Sequence, residues 1–529
     1  MNKYIYIIAA AATLGLASCS SDYLETIPNA SVSKDAAFST TENCAMAVNG
    51  IAKMMTTQYL STQGMNGEGT IKNWCNNFTG NDTQKCNQTG WASLWNNLAT
   101  YKQSETTSYN YYIWYYYYKL IGNANQIIDN VDNATGDEKQ KEYIKAQALV
   151  YRAYSYYQLT TMYCRRWCDS NNGQTSGVVL RIKATDAGEP QDMPLSTLAE
   201  VYQQIYADLD QAIALFQSSG INRSSDEFYL PNLNVAYAVK ARAALYREDW
   251  QTAADYAKKA RDGYSLMSVS EYFAGHNAQN SEWIWGVYEA EDQTLYYYSY
   301  FAYIGSNSSA SACRSYPVAI SKELIDQIPA TDVRRDLFLV PQSDTEFKEM
   351  ATSGRTTKGT MFTRGKNSGY VYNTSYIFGY MQFKLRAAFM PGGGSFSLFR
   401  ASEMYYIEAE ADCHLGRDAD AQQLLYDVTK RFDPEYTKSQ KTGADLLEEV
   451  KLYRRFDLFG EGFDWTDCKR WKKDINRKKL DTSKGLASPG NFHSTFAITI
   501  SAEDYNRWQW IIPKKETDYN SLLKEYTAI

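Results

Sequence analysis

NLNVAYAVKARAALYREDWQTAADYAKKAR, residues 232–261, decides the fold. Two helix-forming runs, Asn232 to Tyr246 and Trp250 to Arg261, flank the polar break Arg247-Glu248-Asp249. Small residues punctuate both runs: Ala236, Ala243 and Ala244 in the first, then Ala253, Ala254, Ala257 and Ala260 in the second. A helical hairpin with small residues where its helices approach closely is the logic of tetratricopeptide repeats. The pattern returns just after Arg400, with Ala401 to Leu415, a Gly416 stop, then Asp418 to Phe432. Upstream, Leu198, Val201, Tyr202, Ile205, Leu209, Ala212, Ile213 and Phe216 recur mostly at steps of three and four, the period of an amphipathic helix. Pro194 precedes that run, and Thr197 with Glu200 fits a capping box. Residues 110–132 and 137–163 read as two more long helices. The spacing predicts a mainly α fold built on four tetratricopeptide-like helix pairs.

Outside these blocks the chain changes character. Residues 59–109 are rich in Asn, Thr, Gly and Ser, and residues 263–398 carry Gly, Ser, Tyr and short β-like runs. Irregular stretches this long inside a compact domain are usually functional loops or small subdomains. The expected organisation is a helical scaffold, about 30–58, 110–262 and 399–475, with a loop-rich face from about 59–109 and 263–398. Loops on a rigid scaffold commonly carry binding sites.

Composition narrows the function. The net charge of −6 gives no electrostatic reason to expect nucleic acid. The 45 tyrosines and 12 tryptophans lift aromatics to 15%. Such rings suit wet binding surfaces, but they also pack helix interfaces. The segment Tyr111 to Tyr118 carries aromatics on every side, which suggests a helix buried all round. The basic cluster Lys469, Arg470, Lys472, Lys473, Arg477, Lys478 and Lys479 reads as a solvated face.

The N-terminus reads as an export signal. Lys3 precedes an apolar run, Tyr4 to Leu16, and small residues follow in Leu16-Ala17-Ser18-Cys19. The run is too short to span a bilayer comfortably. The motif resembles a bacterial lipobox, so residues 1–18 are expected to be removed and Cys19 lipidated. Several acyl chains together anchor stably where one is marginal. A plain signal peptide is the other reading. Of the remaining cysteines, Cys75 and Cys86 could close a small loop, and Cys164 lies near Cys168. No second half accompanies that pair to make a zinc site, and structural or free thiols are expected.

Seven motifs in order then resemble the SusD/RagB family of outer-membrane nutrient-binding lipoproteins. They are Asp22-Tyr23-Leu24 with Pro28, Arg152-Ala153 with Tyr156 and Leu159, Asp208-Leu209 with Ala212, and Asp332-Val333-Arg334. Then come Arg400-Ala401-Ser402-Glu403 with Glu408-Ala409-Glu410-Ala411, Arg454-Arg455 with Leu458 and Glu461-Gly462, and Ile512-Pro513 with Glu516 and Asn520. The chain departs from the family pattern at Tyr453 and Asp457, where Glu is usual, and at Glu408 and Asp464, where Arg is common. The resemblance implies a SusD-like α-helical domain over 19–529. It implies a non-catalytic, cell-surface role of capturing an oligosaccharide for a SusC-like, TonB-dependent outer-membrane transporter. No cofactor is implied.

Sugars offer apolar ring faces and a rim of hydroxyls, so a site needs exposed aromatics together with Asn, Asp, Gln or Arg. The stretch Trp74 to Tyr101 supplies Trp74, Trp91 and Trp95 among Asn76, Asn77 and Asn96. Starch-binding relatives draw an aromatic platform and an Asn from the comparable loop, which carries over to Trp91, Trp95 and Asn96. Trp91 and Trp95, four apart, could equally form one buried helix face. Relatives also place a stacking Tyr and an aromatic or Arg in the later half, which carries over to Tyr296, Tyr297, Arg314 and Tyr316. Phe389 to Phe396, with Gly392-Gly393-Gly394, is expected as a mobile rim.

Other classes stay in view. The 60 Asp and Glu residues always offer a coincidental glycosidase pair, but no catalytic constellation stands out. There is no His-Glu-x-x-His motif, Gly-x-Ser-x-Gly elbow or phosphate loop, and His276, His414 and His493 read as structural. No metal site is expected, since no Asp-x-Asp-x-Asp-Gly loop appears. A RagB-like peptide binder and a pure scaffold subunit are the remaining alternatives.

Overall fold

A computed structural model of the chain describes residues 34–59, 65–86, 104–185, 192–292, 298–352 and 369–524. Cys19 and the export signal lie outside them. The main helices are α1 (Thr41–Met54), α2 (Ser108–Asn130), α3 (Glu138–Tyr163), α4 (Leu198–Ser219) and α5 (Leu233–Tyr246). They continue with α6 (Trp250–Ala260), α7 (Ala401–His414), α8 (Asp418–Thr429), α9 (Gly443–Asp457) and α10 (Asp464–Arg470). The fold is mainly α, as the sequence spacing implied.

Local chemistry sets the helix ends. The Glu200 N–H donates to the Thr197 hydroxyl and the Thr197 N–H to the Glu200 carboxylate, so α4 starts on a complete capping box. Gly220, at φ 65°, closes the same helix in the left-handed conformation that only glycine adopts at little cost. No helix among the described residues is long and apolar enough to cross a membrane.

Successive helices pack side by side: α2 on α3, α3 on α4, α4 on α5, α5 on α6, then α7 on α8 and α9. The alanines of α5 and α6 are buried, which brings these two helices close. Tyr112, Tyr116 and Tyr117 of α2 are buried too, so its aromatics on those sides are packing. The decisive contact is α6 against α7, which touch directly although residues 261–400 separate them in the chain. The later loop-rich stretch is therefore an insertion between two neighbouring repeat helices.

Short strands brace the loops: β1 (Thr83–Lys85), β2 (Ser176–Val179), β3 (Leu195–Thr197), β4 (Trp283–Val287), β5 (Val318–Ile320), β6 (Phe396–Arg400), β7 (Ile475–Asn476) and β8 (Thr499–Ile500). They form antiparallel ribbons β1–β5, β2–β3, β4–β6 and β7–β8. β6 runs straight into α7, so the insertion rejoins the scaffold through a paired strand.

Buried ion pairs stitch these pieces together. Arg152 of α3 meets Asp208 of α4 at 2.6 Å, and Arg242 of α5 meets Glu403 of α7 at 2.6 Å. Arg400 reaches Glu282, Asp457 and Glu461, each at 2.8 Å. Arg334 pairs with Asp332 at 2.6 Å and approaches Asp457 at 3.6 Å. Burial pushes the Asp457 carboxyl up, but Arg400 and Arg334 overcome it and hold it well below the usual range. Most motif charges quoted from the sequence are thus internal ties between elements. Glu408, a departure from the family pattern, binds Arg261 at 2.9 Å.

The basic cluster at 469–479 is not the solvated face expected from its composition. Lys469 donates to the carbonyls of Thr161 and Cys164 at 2.6 and 2.7 Å. Arg470 grips Glu410 and Asp467, and Arg477 donates to the carbonyls of Gly80 and Phe78. Burial is tolerable because each cation is paired or hydrogen-bonded. Lys472, Lys478 and Lys479 are exposed. Cys44, Cys75, Cys86, Cys164, Cys168, Cys313, Cys413 and Cys468 are free thiols.

Candidate ligand-binding face

The β1–β5 ribbon is where the two loop-rich stretches meet. Thr83 pairs with Ile320 and Lys85 with Val318, and the Cys86 N–H continues the ladder by donating to Pro317 O at 2.9 Å. Successive strand residues point to opposite faces. Lys85 turns inward and donates to the carbonyls of Tyr303 and Ala312 at 2.5 and 2.8 Å. It thereby ties the short helices Tyr300–Ile304 and Ser311–Arg314 to the earlier stretch. The Tyr376 N–H donates to Arg314 O at 3.0 Å, fixing the end of the second helix.

Arg314 and Tyr316 are half-exposed beside this ribbon. No hydrogen bond or ring contact among the described residues holds the Arg314 guanidinium or the Tyr316 ring. They are a donor fork and an apolar face open to solvent, the chemistry a sugar needs. Trp91, Trp95, Asn96, Tyr296 and Tyr297 lie outside the described residues. Of the described residues that flank them in sequence, Cys86 and Tyr298 belong to the two stretches that the ribbon and Lys85 join.

Trp74 is not a platform. It is 3% exposed, with its ring 5.3 Å from Tyr109 and 5.5 Å from Tyr303. Distant parts of the chain close over it, so both its faces serve the core. Two half-exposed tyrosines pack against the same core: Tyr109, against Trp74, which sequence reasoning missed, and Tyr298, which closes the tyrosine run 296–298 read from the sequence. The sequence signal for Tyr109 was the general tyrosine excess.

The glycine run is also corrected. Gly393 O accepts from the N–H groups of Ala388 and Phe389, and Pro391 O accepts from Ser309 N–H and the Ser308 hydroxyl. A Cβ on Gly392 would lie 2.5 Å from Ala302 Cα. Gly392-Gly393-Gly394 is a buried, anchored turn that permits close approach, rather than a rim.

The larger clefts lie elsewhere. One of about 560 Å³ runs along α9 and is lined by Glu323, Asp445, Glu448, Lys451, Trp471 and Lys473, among others. Its single tryptophan is covered by Arg470 and Lys451 and donates to Glu410, so it presents no free stacking face. Among the described residues no cluster of His, Cys, Asp and Glu could hold a metal ion. His276 is buried beside Tyr272, His414 stacks on Trp250 at 3.8 Å, and His493 bonds Thr495.

The sequence model of the SusD family matches residues 250–527, and a second, described as starch-binding and associating with the outer membrane, matches residues 22–245. SusD-like protein P2 of Formosa agariphila is 30% identical over 145 residues, covering 27% of this chain and 26% of that protein. The match thus spans about a quarter of that relative. SusD-like protein P25 of the same organism is 23% identical over 382 residues, covering 68% of this chain and 69% of that one. Among solved structures, a SusD-like carbohydrate binding protein from Bacteroides vulgatus superposes with a TM-score of 0.73 at 22% identity, covering 92% of this chain and 97% of that one. A SusD superfamily protein from Bacteroides thetaiotaomicron gives 0.68 at 21%, covering 91% and 98%. At such identities the likeness speaks for the fold.

Proposed function

This chain belongs to the SusD family, and on that premise we propose that it is a non-catalytic, cell-surface lipoprotein that captures oligosaccharides for a SusC-like, TonB-dependent outer-membrane transporter. Lipidation at Cys19 would hold it to the outer membrane, beside that transporter. The observation that carries the binding role is the pair Arg314 and Tyr316, half-exposed and without a side-chain partner among the described residues, at the ribbon joining the two loop-rich stretches. Trp91, Trp95, Asn96, Tyr296 and Tyr297 are proposed as further contacts on the same face. The carbohydrate class is supported by the starch-binding description of the matching model and by the carbohydrate-binding neighbour.

The test is calorimetric titration of the mature soluble chain, starting at Ser20, against maltoheptaose, xylohexaose, mannohexaose and galactan oligosaccharides, with casein peptides alongside. Glycan binding lost in Tyr316→Ala, Trp91→Ala or Trp95→Ala with folding intact is the expected result. Heat from peptides alone would overturn the substrate class while leaving the family untouched. Hydrolysis of any panel sugar would overturn the non-catalytic reading. Co-purification from outer membranes with a TonB-dependent barrel, lost when Cys19 becomes Ala, is expected for the anchored partner role.

A further inference from the structure

The sequence stands apart from its family pattern at Asp464, and the structure gives that residue a task. Asp464 Oδ1 accepts the Asn81 N–H at 2.8 Å, while Oδ2 accepts the N–H groups of Asp82 and Thr83 at 2.6 and 3.2 Å. All three donors belong to buried residues, and buried amides without an acceptor are costly. An Arg here, common in the family, has only donors and could not receive them.

The neighbours complete a seat. The side chain of Asn81 donates to Asp474 O and accepts the Asn476 N–H, each at 2.8 Å. Arg455 grips Asp82 at 2.6 and 2.9 Å. Arg477 donates to Phe78 O and Gly80 O, each at 2.7 Å. Gly80 is matched to Asp464 in shape, because a Cβ there would lie 2.0 Å from the Asp464 carboxyl carbon. Burial and the Asp82 carboxylate push the Asp464 carboxyl up to about 8, against the amides and Arg455. Its oxygens keep acceptor capacity in either protonation state.

We propose that Asp464 is a positioning residue for the candidate ligand-binding face: its carboxyl group seats Asn81 to Thr83, and β1 carries that placement to β5, Arg314 and Tyr316. The route is continuous. Thr83 opens β1, β1 pairs with β5, and Lys85 pins the helix that ends at Arg314. The inference rests on the reading of Arg314 and Tyr316 as ligand contacts, yet the seat itself can be tested without ligand.

The experiment is amide hydrogen exchange by mass spectrometry on the full mature chain and on the Asp464→Ala, Gly80→Ala and doubly substituted variants. Exchange in 81–86 and in 311–320 should quicken at least tenfold in Asp464→Ala, with α3 and α5 unchanged. Gly80→Ala should behave alike, and should add nothing once Asp464 is already Ala, because its clash has been removed. A merely local structural role would quicken exchange in 81–86 without carrying it into 311–320. Unchanged exchange in Asp464→Ala, additive effects of the two substitutions, or loosening that stops at Thr83 would each overturn the proposal. Should Asp464→Ala fail to fold, Asp464→Asn, which keeps one acceptor oxygen, should give the same pattern at smaller amplitude. Maltoheptaose, or whichever panel sugar the native chain binds, should lose at least tenfold in affinity to Asp464→Ala. If no panel sugar binds the native chain, the glycan reading fails while exchange still decides the seat.

Discussion

The repeats from α2 to α6 and the insertion over residues 261–400 are held by different physics. In the repeats each helix packs on its neighbour, small alanines allow close approach, and Arg152–Asp208 ties adjacent helices. The insertion contains the β4–β6 ribbon and many turns, shares the main core through residues such as Trp285 and Phe399, and is also fastened by long-range buried charges, above all Arg400 with Glu282, Asp457 and Glu461. Packing between neighbours tolerates local change. A buried charge network tolerates it less, because losing one cation leaves its carboxylates under-compensated. The insertion, which carries the proposed contacts Arg314 and Tyr316, is thus attached through points where a single substitution is costly.

Breaking the fastening should give the largest effect. Arg400→Met takes a shared cation from three buried carboxylates and should cost about 3–5 kcal/mol in urea unfolding. If it costs no more than a surface substitution, the contrast between the regions is wrong. Next comes Glu68, buried where the earlier loop stretch meets α2 and α3, and bonded by Tyr117 and Tyr154. Burial outweighs those hydroxyls and lifts its pKa from 4.5 to about 7. A carboxyl raised on folding stabilises fully below its unfolded pKa, and that contribution is lost as pH rises through the folded value. Between pH 4.5 and 7 the native chain should therefore lose about 3 kcal/mol relative to Glu68→Gln. Parallel stability–pH curves would refute this. Thr197→Ala, which removes the α4 capping box, should cost about 1 kcal/mol and leave ligand affinity untouched. Smallest in stability is Tyr316→Ala, within about 0.5 kcal/mol, although it should weaken glycan binding roughly tenfold.

The same division explains what could be read in advance. α4 was legible because Thr197, Glu200 and the apolar spacing are local signals, and α5 with α6 because their alanines repeat. The motif charges Arg152, Asp208, Arg400 and Glu461 carried the family resemblance, but their pairing became visible only in three dimensions. Lys469, Arg470 and Arg477 looked like surface because composition records a charge and not the carbonyl or carboxylate that buries it. Trp74 looked like a platform because Tyr109 and Tyr303, which enclose it, are far away in sequence. Arg314 and Tyr316 could be named only through the family likeness, and nothing local marks them as unpartnered.

The direct packing of α6 on α7 also imposes an order in time. During synthesis α2 to α6 emerge first and hold mostly near-neighbour contacts, which form quickly. α7 arrives only after the whole insertion, so the surface of α6 that it will cover stays bare until then. Closing that gap means joining segments distant along the chain, the slow step for any polypeptide. The exposed flank of α6 is accordingly where a holding chaperone would be needed, and where an arrested chain would first stick to its neighbours.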